Sequence, residues 1–328
     1  MTGILIGNIG KIFMAIEESS VSIIIPAYNN AALSEQALLS ALRTNAGEII
    51  ISDDNSTDNT LEVLSKYKDQ RIRISKNETN IGLWENHLKA VRLAKLEWIK
   101  FLQQDDMILE NGLKNLCNEA DDKTVIVGAL PIILDLETGQ KRIPQKLSQP
   151  RRWSSHEYLN RIMRVGYELG NPSLTLIKKN ALELDENIWR REISADYIMH
   201  IIVPTKGDVV IIPPGSIIMG MHENQESRTT DFSLAVKRMG NTLNYLSTYP
   251  NQYVQLHTRL VGFLESFGFL IYARGQFRRK RELYKGFWSD WLKIFRITRL
   301  WNVLLNMNNI ITLFRTKYFG YNNNLDLR

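Results

Sequence analysis

The sequence predicts an α/β fold: a mainly parallel sheet flanked by helices, with a helical extension at the C-terminal end. In the first half of the chain, short β-branched runs alternate with segments of helical periodicity. This alternation is typical of parallel sheets that are covered by helices. From about residue 230 onward, the pattern is helical with few breakers.

The composition is that of a globular protein. The chain has 328 residues, of which 44% are hydrophobic and 23% charged, which suits one large domain with an appendage. Its single cysteine, Cys117, excludes an intramolecular disulfide. We expect a poorly ordered leader at 1–20, a main domain at 21–228 and a helical region at 229–328. No apolar stretch approaches the roughly 18 residues that a membrane span needs.

The first hundred residues predict four strands joined by three helices. The strands are expected at 21–25, 48–51, 71–74 and 98–103, and the helices at 33–43, 56–67 and 83–95. The strand at 21–25 is a continuous apolar run, which is typical of a strand that is buried on both faces. Pro26 should stop this strand, and Ser56 should cap the second helix.

Two pairs of acidic residues follow two of these strands. Asp53 and Asp54 come after the second strand, and Asp105 and Asp106 come after the fourth. Aspartates often only make turns and cap helices. However, the carboxyl ends of parallel strands meet at one edge of a sheet, where ligands bind. We therefore predict that one pair binds a nucleoside and the other a divalent cation, which prefers oxygen ligands.

Four segments in this half resemble the motifs of family 2 glycosyltransferases. They are the opening strand Val21–Asn29, the D-D-N-S-T-D loop within Ile51–Asp58, the N-x-G turn Asn80–Gly82 with Asn86, and Phe101–Asp106 at the place of the D-x-D-D metal motif. The resemblance covers about 21–222. It implies a GT-A fold and an inverting transfer of a sugar from a nucleoside-diphosphate sugar, with UDP expected, to an acceptor hydroxyl. The usual setting is synthesis of bacterial surface polysaccharide, such as O-antigen or capsule.

The resemblance also assigns roles to individual residues. Those expected to bind the nucleotide are Pro26, Ala27, Tyr28, Asn29, Asp54, Asn80, Gly82, Gln104 and Asp105. Asp105 and Asp106 are expected to meet Mg²⁺ or Mn²⁺ and the diphosphate. Gln103 stands where many relatives have the first aspartate of the motif. Because an amide binds cations less well than a carboxylate does, we expect a modest metal affinity.

An inverting transfer needs a group that takes the proton of the acceptor hydroxyl. Asp196 lies where the family places an E-D pair at the start of a helix, and it is the predicted base; Ala195 replaces the glutamate. The structural alternative makes Ser194 a helix cap and Asp196 a first-turn acid that the helix dipole stabilises.

A polar segment after residue 221 resembles the closing loop of the family. The resemblance places His222 near the metal or the diphosphate, and Arg228 is suited to bind phosphate oxygens. A surface histidine in a polar loop is the alternative.

The positive charge is concentrated near the C-terminus. Nine basic and two acidic residues lie between positions 274 and 299, a local charge of +7 against +6 for the whole chain. Aromatic residues are interleaved with them, as in segments that bind anionic membrane surfaces. Membrane contact through 274–301 and plain helix packing both remain open, and nucleic acid is not expected. A cytoplasmic protein that acts on a saccharide or lipid-linked saccharide, and associates peripherally with the inner face of the membrane, fits this pattern.

Two other functions compete with the transferase. A non-catalytic module that binds nucleotide sugars is favoured by Gln103 and Ala195, which replace acids found in many relatives. A dinucleotide-dependent oxidoreductase is disfavoured, because Pro26–Asn29 stands where a glycine-rich G-x-G-x-x-G turn would follow the first strand.

Overall fold

The structure is a computed structural model that describes residues 15–165, 169–190, 193–223, 225, 232–262 and 292. Its strands are β1 Val21–Ala27, β2 Glu48–Asp53, β3 Ile72–Lys76, β4 Trp98–Phe101, β5 Met107–Ile108, β6 Thr124–Ala129, β7 Ile132–Asp135, β8 Lys141–Arg142, β9 Arg151–Trp153, β10 Thr175–Lys178, β11 Asp208–Ile212 and β12 Ile217–Met221. Its helices are α1 Ala31–Leu42, α2 Thr60–Ser65, α3 Leu83–Leu93, α4 Gly112–Cys117, α5 Ser155–Val165, α6 Ala195–Ile202 and α7 Phe232–Thr248, and residues 252–262 are also helical.

Eight strands form the main sheet in the order β3-β2-β1-β4-β10-β6-β11-β9. Strand β1 pairs in parallel with β2 and β4, whereas β10 runs antiparallel to both of its neighbours. A second sheet has the order β5-β12-β7-β8. Alternate residues of β1 face two apolar cores, with Ile24 in one and Ile23 and Ile25 in the other. The predicted parallel half is therefore present, and it directs the ends of β1, β2 and β4 to one edge.

The prediction that Pro26 ends the first strand was wrong. Strand β1 continues to Ala27, and Pro26 stands opposite Ser52 of β2. Pairing with β4 stops at Ile24 and Phe101. Beyond that point β1 has a neighbour on only one side, so that a residue without an N–H can be accommodated.

The prediction that Ser56 caps a helix was also wrong. Helix α2 begins at Thr60, after an Asn59 cap position. The Ser56 amide donates to the Asp53 carboxylate at 3.1 Å, and its hydroxyl accepts from the Asn29 amide at 2.9 Å. These bonds hold Ser56 in the loop that links the ends of β1 and β2.

The helical region begins with α7, which packs against α6. Thr242 of α7 accepts a hydrogen bond from the Ser194 amide at 3.0 Å, and the Tyr197 hydroxyl lies 2.9 Å from Nε2 of His257. Within the described residues, no helix is both long enough and apolar enough to cross a membrane. Segment 274–301 lies outside the described residues apart from position 292, as do residues 1–14 of the predicted leader; Glu18–Ser20 form a short 3₁₀ helix before β1.

We expect the protein to lose stability as the pH falls from 7.5 to 5, because burial lowers the pKa of two histidines. Burial lowers the pKa of His200 to about 3 and that of His257 to about 4. Below pH 6.5 the unfolded chain then binds more protons than the folded one, and each histidine costs about 2 kcal/mol at pH 5. Urea titrations at both pH values measure this loss. His200→Leu should reduce the difference in the free energy of unfolding between the two pH values, whereas His156→Gln, at an exposed position, should retain it. An unchanged difference in His200→Leu would refute the role of His200 in this loss of stability.

Candidate active site

A cavity of about 600 Å³ opens at the edge where β1, β2 and β4 end. Its lining residues come from the loops after these strands, from the start of α3 and from more distant segments. They are Pro26, Ala27, Tyr28, Asp54, Asn80, Gly82, Leu83, Trp84, Asn86, Gln103, Gln104, Asp105, Asn171, His222, Gln225 and Arg238. Eight of the nine residues predicted to bind the nucleotide are among them. The exception is Asn29, whose side chain instead accepts from the Thr57 amide at 2.9 Å.

Asp54 fixes one wall of the cavity by holding the predicted turn. Its carboxylate accepts from the amides of Ile81 and Gly82, both at 2.8 Å, and from the Asn77 side chain at 2.7 Å. Gly82 has φ +92°, a backbone conformation that glycine adopts without strain. Asp54 is buried. The turn Asn80–Gly82 is therefore tied to the end of β2 through charge-assisted bonds.

Tyr28 and Gln104 join the end of β1 to the loop after β4. The Gln104 side chain accepts from the Tyr28 amide at 3.1 Å and donates to the Tyr28 carbonyl at 3.4 Å. It also accepts from the Ser34 hydroxyl at 3.3 Å. Tyr28 remains 44% exposed at the cavity. An aromatic ring in this position can stack on a base.

Asp105 and His222 come together at another wall of the cavity. Nε2 of His222 lies 3.5 Å from Oδ2 of Asp105. The Gln225 side chain donates to the same oxygen at 2.7 Å and to the Gly220 carbonyl at 2.7 Å. A carboxylate and an imidazole are both cation ligands, and phosphate oxygens and water complete such sites. Among the described residues, no group of three His, Cys, Asp or Glu side chains is placed to hold a metal ion, so any cation here would depend on the bound diphosphate for further ligands.

Asp106 lies behind the cavity wall rather than in it. Only 1% of the residue is exposed, and it is absent from the lining residues. Its carboxylate accepts from the Gly220 amide at 3.0 Å and from the Asn171 side chain at 3.1 Å. Burial, with the nearby charge of Asp105, raises the pKa of Asp106 well above its usual range. Of the two aspartates predicted to meet the metal, only Asp105 lines the cavity.

A fully buried lysine is hydrogen-bonded to the end of β4 and to the segment before β10. Lys100 of β4 donates through Nζ to the carbonyls of Phe101, at 2.7 Å, and Ser173. Burial lowers the pKa of Lys100, and the charge of Asp106 opposes this shift. This contact could not be predicted from the sequence, because a lysine within a strand usually faces solvent.

The predicted base stands apart from the cavity wall. Asp196 occupies the first turn of α6, as expected, and is half-buried. It is not among the lining residues, and the Ser194 side chain makes no capping bond. Arg228 lies outside the described residues.

Several lining residues were missed at the sequence level. Arg238 brings a positive charge to the cavity from α7, 16 positions after His222. For Trp84, the sequence indicated only a place in the apolar periodicity of α3. For Asn171, it indicated only a turn before a proline. For Gln225, the signal was its position in the polar segment after His222.

Solved structures that match the chain show its fold. The crystal structure of residues 1–349 of S. aureus TarS in complex with UDP-GlcNAc matches with a TM-score of 0.64 and 16% sequence identity, over 92% of this chain and 93% of that chain. The likeness confirms the predicted GT-A-type glycosyltransferase fold.

The family follows from the sequence. Residues 22–182, about half of the chain, match the model described as Glycosyl transferase family 2. The chain belongs to this family, as its motifs predicted.

Two of the relatives each match about a third of the chain. The poly(ribitol-phosphate) beta-N-acetylglucosaminyltransferase TarP of Staphylococcus aureus is 32% identical over 118 residues, 33% of this chain and 36% of that protein. The UDP-Glc:alpha-D-GlcNAc-diphosphoundecaprenol beta-1,3-glucosyltransferase WfaP of Escherichia coli is 39% identical over 98 residues, 29% of this chain and 39% of that protein. The match thus spans little more than a third of either relative.

We expect Asp54→Ala to release the turn Asn80–Gly82. The amides of Ile81 and Gly82 should lose their protection from hydrogen exchange, and the free energy of unfolding should fall by about 1–3 kcal/mol, since buried donors lose their partner. Asp122→Ala, at an exposed position, should change stability by less than about 0.5 kcal/mol. Unchanged protection at both amides would contradict this role of Asp54.

Proposed function

We propose that this protein transfers a sugar from a UDP-sugar to an acceptor hydroxyl, with inversion at the anomeric carbon. The observation that carries the proposal is the cavity at the ends of β1, β2 and β4, where residues expected to bind nucleotide meet the Asp105–His222 pair. Its volume of about 600 Å³ lies within the usual range for small-ligand sites.

The nucleoside would bind between Tyr28 and the turn Asn80–Gly82. Tyr28 offers a partly exposed ring for stacking, and Asp54 keeps the turn in place from behind. Because three described donors already engage the Asp54 carboxylate, we assign it mainly to shaping this pocket. The uracil assignment is supported by TarS, which was solved with UDP-GlcNAc.

A divalent cation fits beside the nucleotide. Asp105 and His222 would hold it, together with oxygens of the diphosphate and water. An imidazole nitrogen in the ligand set favours Mn²⁺ over the more strictly oxygen-seeking Mg²⁺. When bound, the cation would offset the negative charge of the departing diphosphate. Arg238 is placed to act on the same phosphates, and Arg228 remains a proposed phosphate ligand.

Asp196 would serve as the base. Its carboxylate takes the proton of the acceptor hydroxyl as the hydroxyl oxygen forms a bond to the anomeric carbon. The bond between that carbon and the diphosphate oxygen breaks, and UDP leaves with the electron pair. Because Asp196 lies outside the cavity wall, the acceptor would enter between α6 and the bound donor.

The acceptor we favour is a saccharide, free or carried on a lipid, in bacterial surface-polysaccharide synthesis. WfaP is named for a diphosphoundecaprenol-linked acceptor, and TarP for poly(ribitol-phosphate). A cytoplasmic location with membrane contact through the basic segment 274–301 would suit a lipid-linked substrate.

A non-catalytic module that binds nucleotide sugars is the second candidate. Gln103 places an amide in the cavity where many relatives have a carboxylate, and Asp196 is absent from the lining. Turnover assays with a panel of UDP-sugars and saccharide acceptors separate the candidates: transfer supports the enzyme, and nucleotide binding without turnover supports the module.

UDP with Mn²⁺ should stabilise the protein more than UDP alone does. At about 100 times Kd, a ligand that binds only the folded state contributes about 2.7 kcal/mol, so a rise of several degrees in melting temperature is expected. Asp105→Ala should lose the Mn²⁺-dependent part and keep most of the UDP effect. Asp122→Ala, an exposed aspartate remote from the cavity lining, is the matched control. If UDP leaves the melting temperature unchanged with and without Mn²⁺, the nucleotide assignment fails.

Asp196→Asn should lower kcat by about 10²–10⁴-fold, the usual contribution of a general base. Affinity for UDP should change little, because Asp196 does not line the cavity. Kinetics with the best donor, and calorimetry with UDP, test the two parts separately. Activity of Asp196→Asn close to that of the unmodified protein would remove Asp196 from this role.

A further inference from the structure

The acidic pair after β4 divides into two unlike environments. Asp105 faces the cavity, whereas Asp106 is 1% exposed and surrounded by donors. The Gly220 amide reaches one Asp106 oxygen at 3.0 Å, and the Asn171 side chain reaches the other at 3.1 Å. Each oxygen of this carboxylate therefore already accepts one hydrogen bond. Asp106 is buried and absent from the cavity lining, so a cation in the cavity would contact Asp105 instead.

These donors come from two segments on either side of the loop. On one side, Gly220 belongs to β12, and His222 follows it by two residues. A Cβ at position 220 would lie 2.1 Å from the Asp105 carbonyl oxygen, so only glycine allows this approach. The position of β12 against the loop therefore sets where His222 stands relative to Asp105.

On the other side, the loop is bonded to the segment before β10. The Gln103 amide donates to the Ser173 hydroxyl at 2.8 Å, and the Ser173 amide donates to the Asn171 side chain at 2.8 Å. Lys100 donates to the Ser173 carbonyl from within β4. One buried carboxylate thus connects three segments that are distant in sequence.

We propose that Asp106 is a positioning residue, paired with Asn171, that holds β12 against the loop 103–106 and so sets the separation of Asp105 and His222. This inference rests on the proposed function, because the expected effect of Asp106 is on the binding of a cation by Asp105 and His222. Outer partners that orient metal ligands typically contribute 10–100-fold to metal affinity.

The test exchanges the two partners. In Asp106→Asn, an amide donor faces the Asn171 donor, and the contact is lost. In Asn171→Asp, two carboxylates face each other. In the double variant Asp106→Asn with Asn171→Asp, the amide at 106 donates to the carboxylate at 171 and still accepts from Gly220, while position 171 still accepts from Ser173.

Mn²⁺ affinity in the presence of UDP, followed by the electron paramagnetic resonance of free Mn²⁺, is the main readout. Each single variant should bind Mn²⁺ at least about 10-fold more weakly than the unmodified protein does. The double variant should recover most of this loss. In Asp106→Asn, the affinity for UDP without metal should stay within about twofold of the original. If Asp106 were instead a direct ligand, the double variant would bind Mn²⁺ no better than Asp106→Asn does, which would overturn the proposal. Wild-type affinity in Asp106→Asn would overturn it equally.

A second readout needs neither cation nor nucleotide. Crystal structures of the double variant and of Asn171→Ala, which removes one donor and leaves the carboxylate in place, give the distance from Asp105 Oδ2 to His222 Nε2, 3.5 Å in the unmodified protein. We expect this distance to be retained in the double variant and lengthened in Asn171→Ala; an unchanged distance in Asn171→Ala refutes the positioning role. Failure of the unmodified protein to bind UDP and Mn²⁺ counts against the proposed function, whereas this distance decides the inference independently.

Discussion

The buried Asp106 carboxylate is the contact on which the candidate site depends. Its two hydrogen bonds connect the end of β4 with the segment around Asn171 and with strand β12. Leaving a buried hydrogen-bonding group without its partners is costly. Consequently the loop that presents Asp105 and the strand that leads to His222 are positioned together.

The parallel half of the sheet was predictable, because its signals are local. The strand predicted from the apolar run of β1 and the helices predicted from the spacing in α1 and α3 are present in the structure, with small changes at their ends. Local reasoning failed where a distant partner decided the outcome. Pro26 is part of β1 because β1 has no pairing with β4 at this position. Ser56 lies in a loop rather than at the start of a helix, because it is hydrogen-bonded to Asp53 and Asn29.

The same distinction separates the site residues that were expected from those that were not. Residues following β1 and β2 were predictable, since strand ends converge on one edge of the sheet. The different environments of Asp105 and Asp106 were not, because adjacent residues differ only through contacts with positions more than 60 residues away. Arg238 lines the cavity from α7, and nothing in the sequence of this helix predicted that one of its residues would do so.

We propose that a cation bound by Asp105 and His222 lies beside a nucleotide in the cavity at the ends of β1, β2 and β4. The decisive measurement is a crystal structure with UDP and Mn²⁺, in which anomalous scattering locates the metal. We expect one Mn²⁺ in contact with both side chains and with the diphosphate, and the uracil ring near Tyr28. A cation bound to Asp106, or UDP bound outside this cavity, would contradict it.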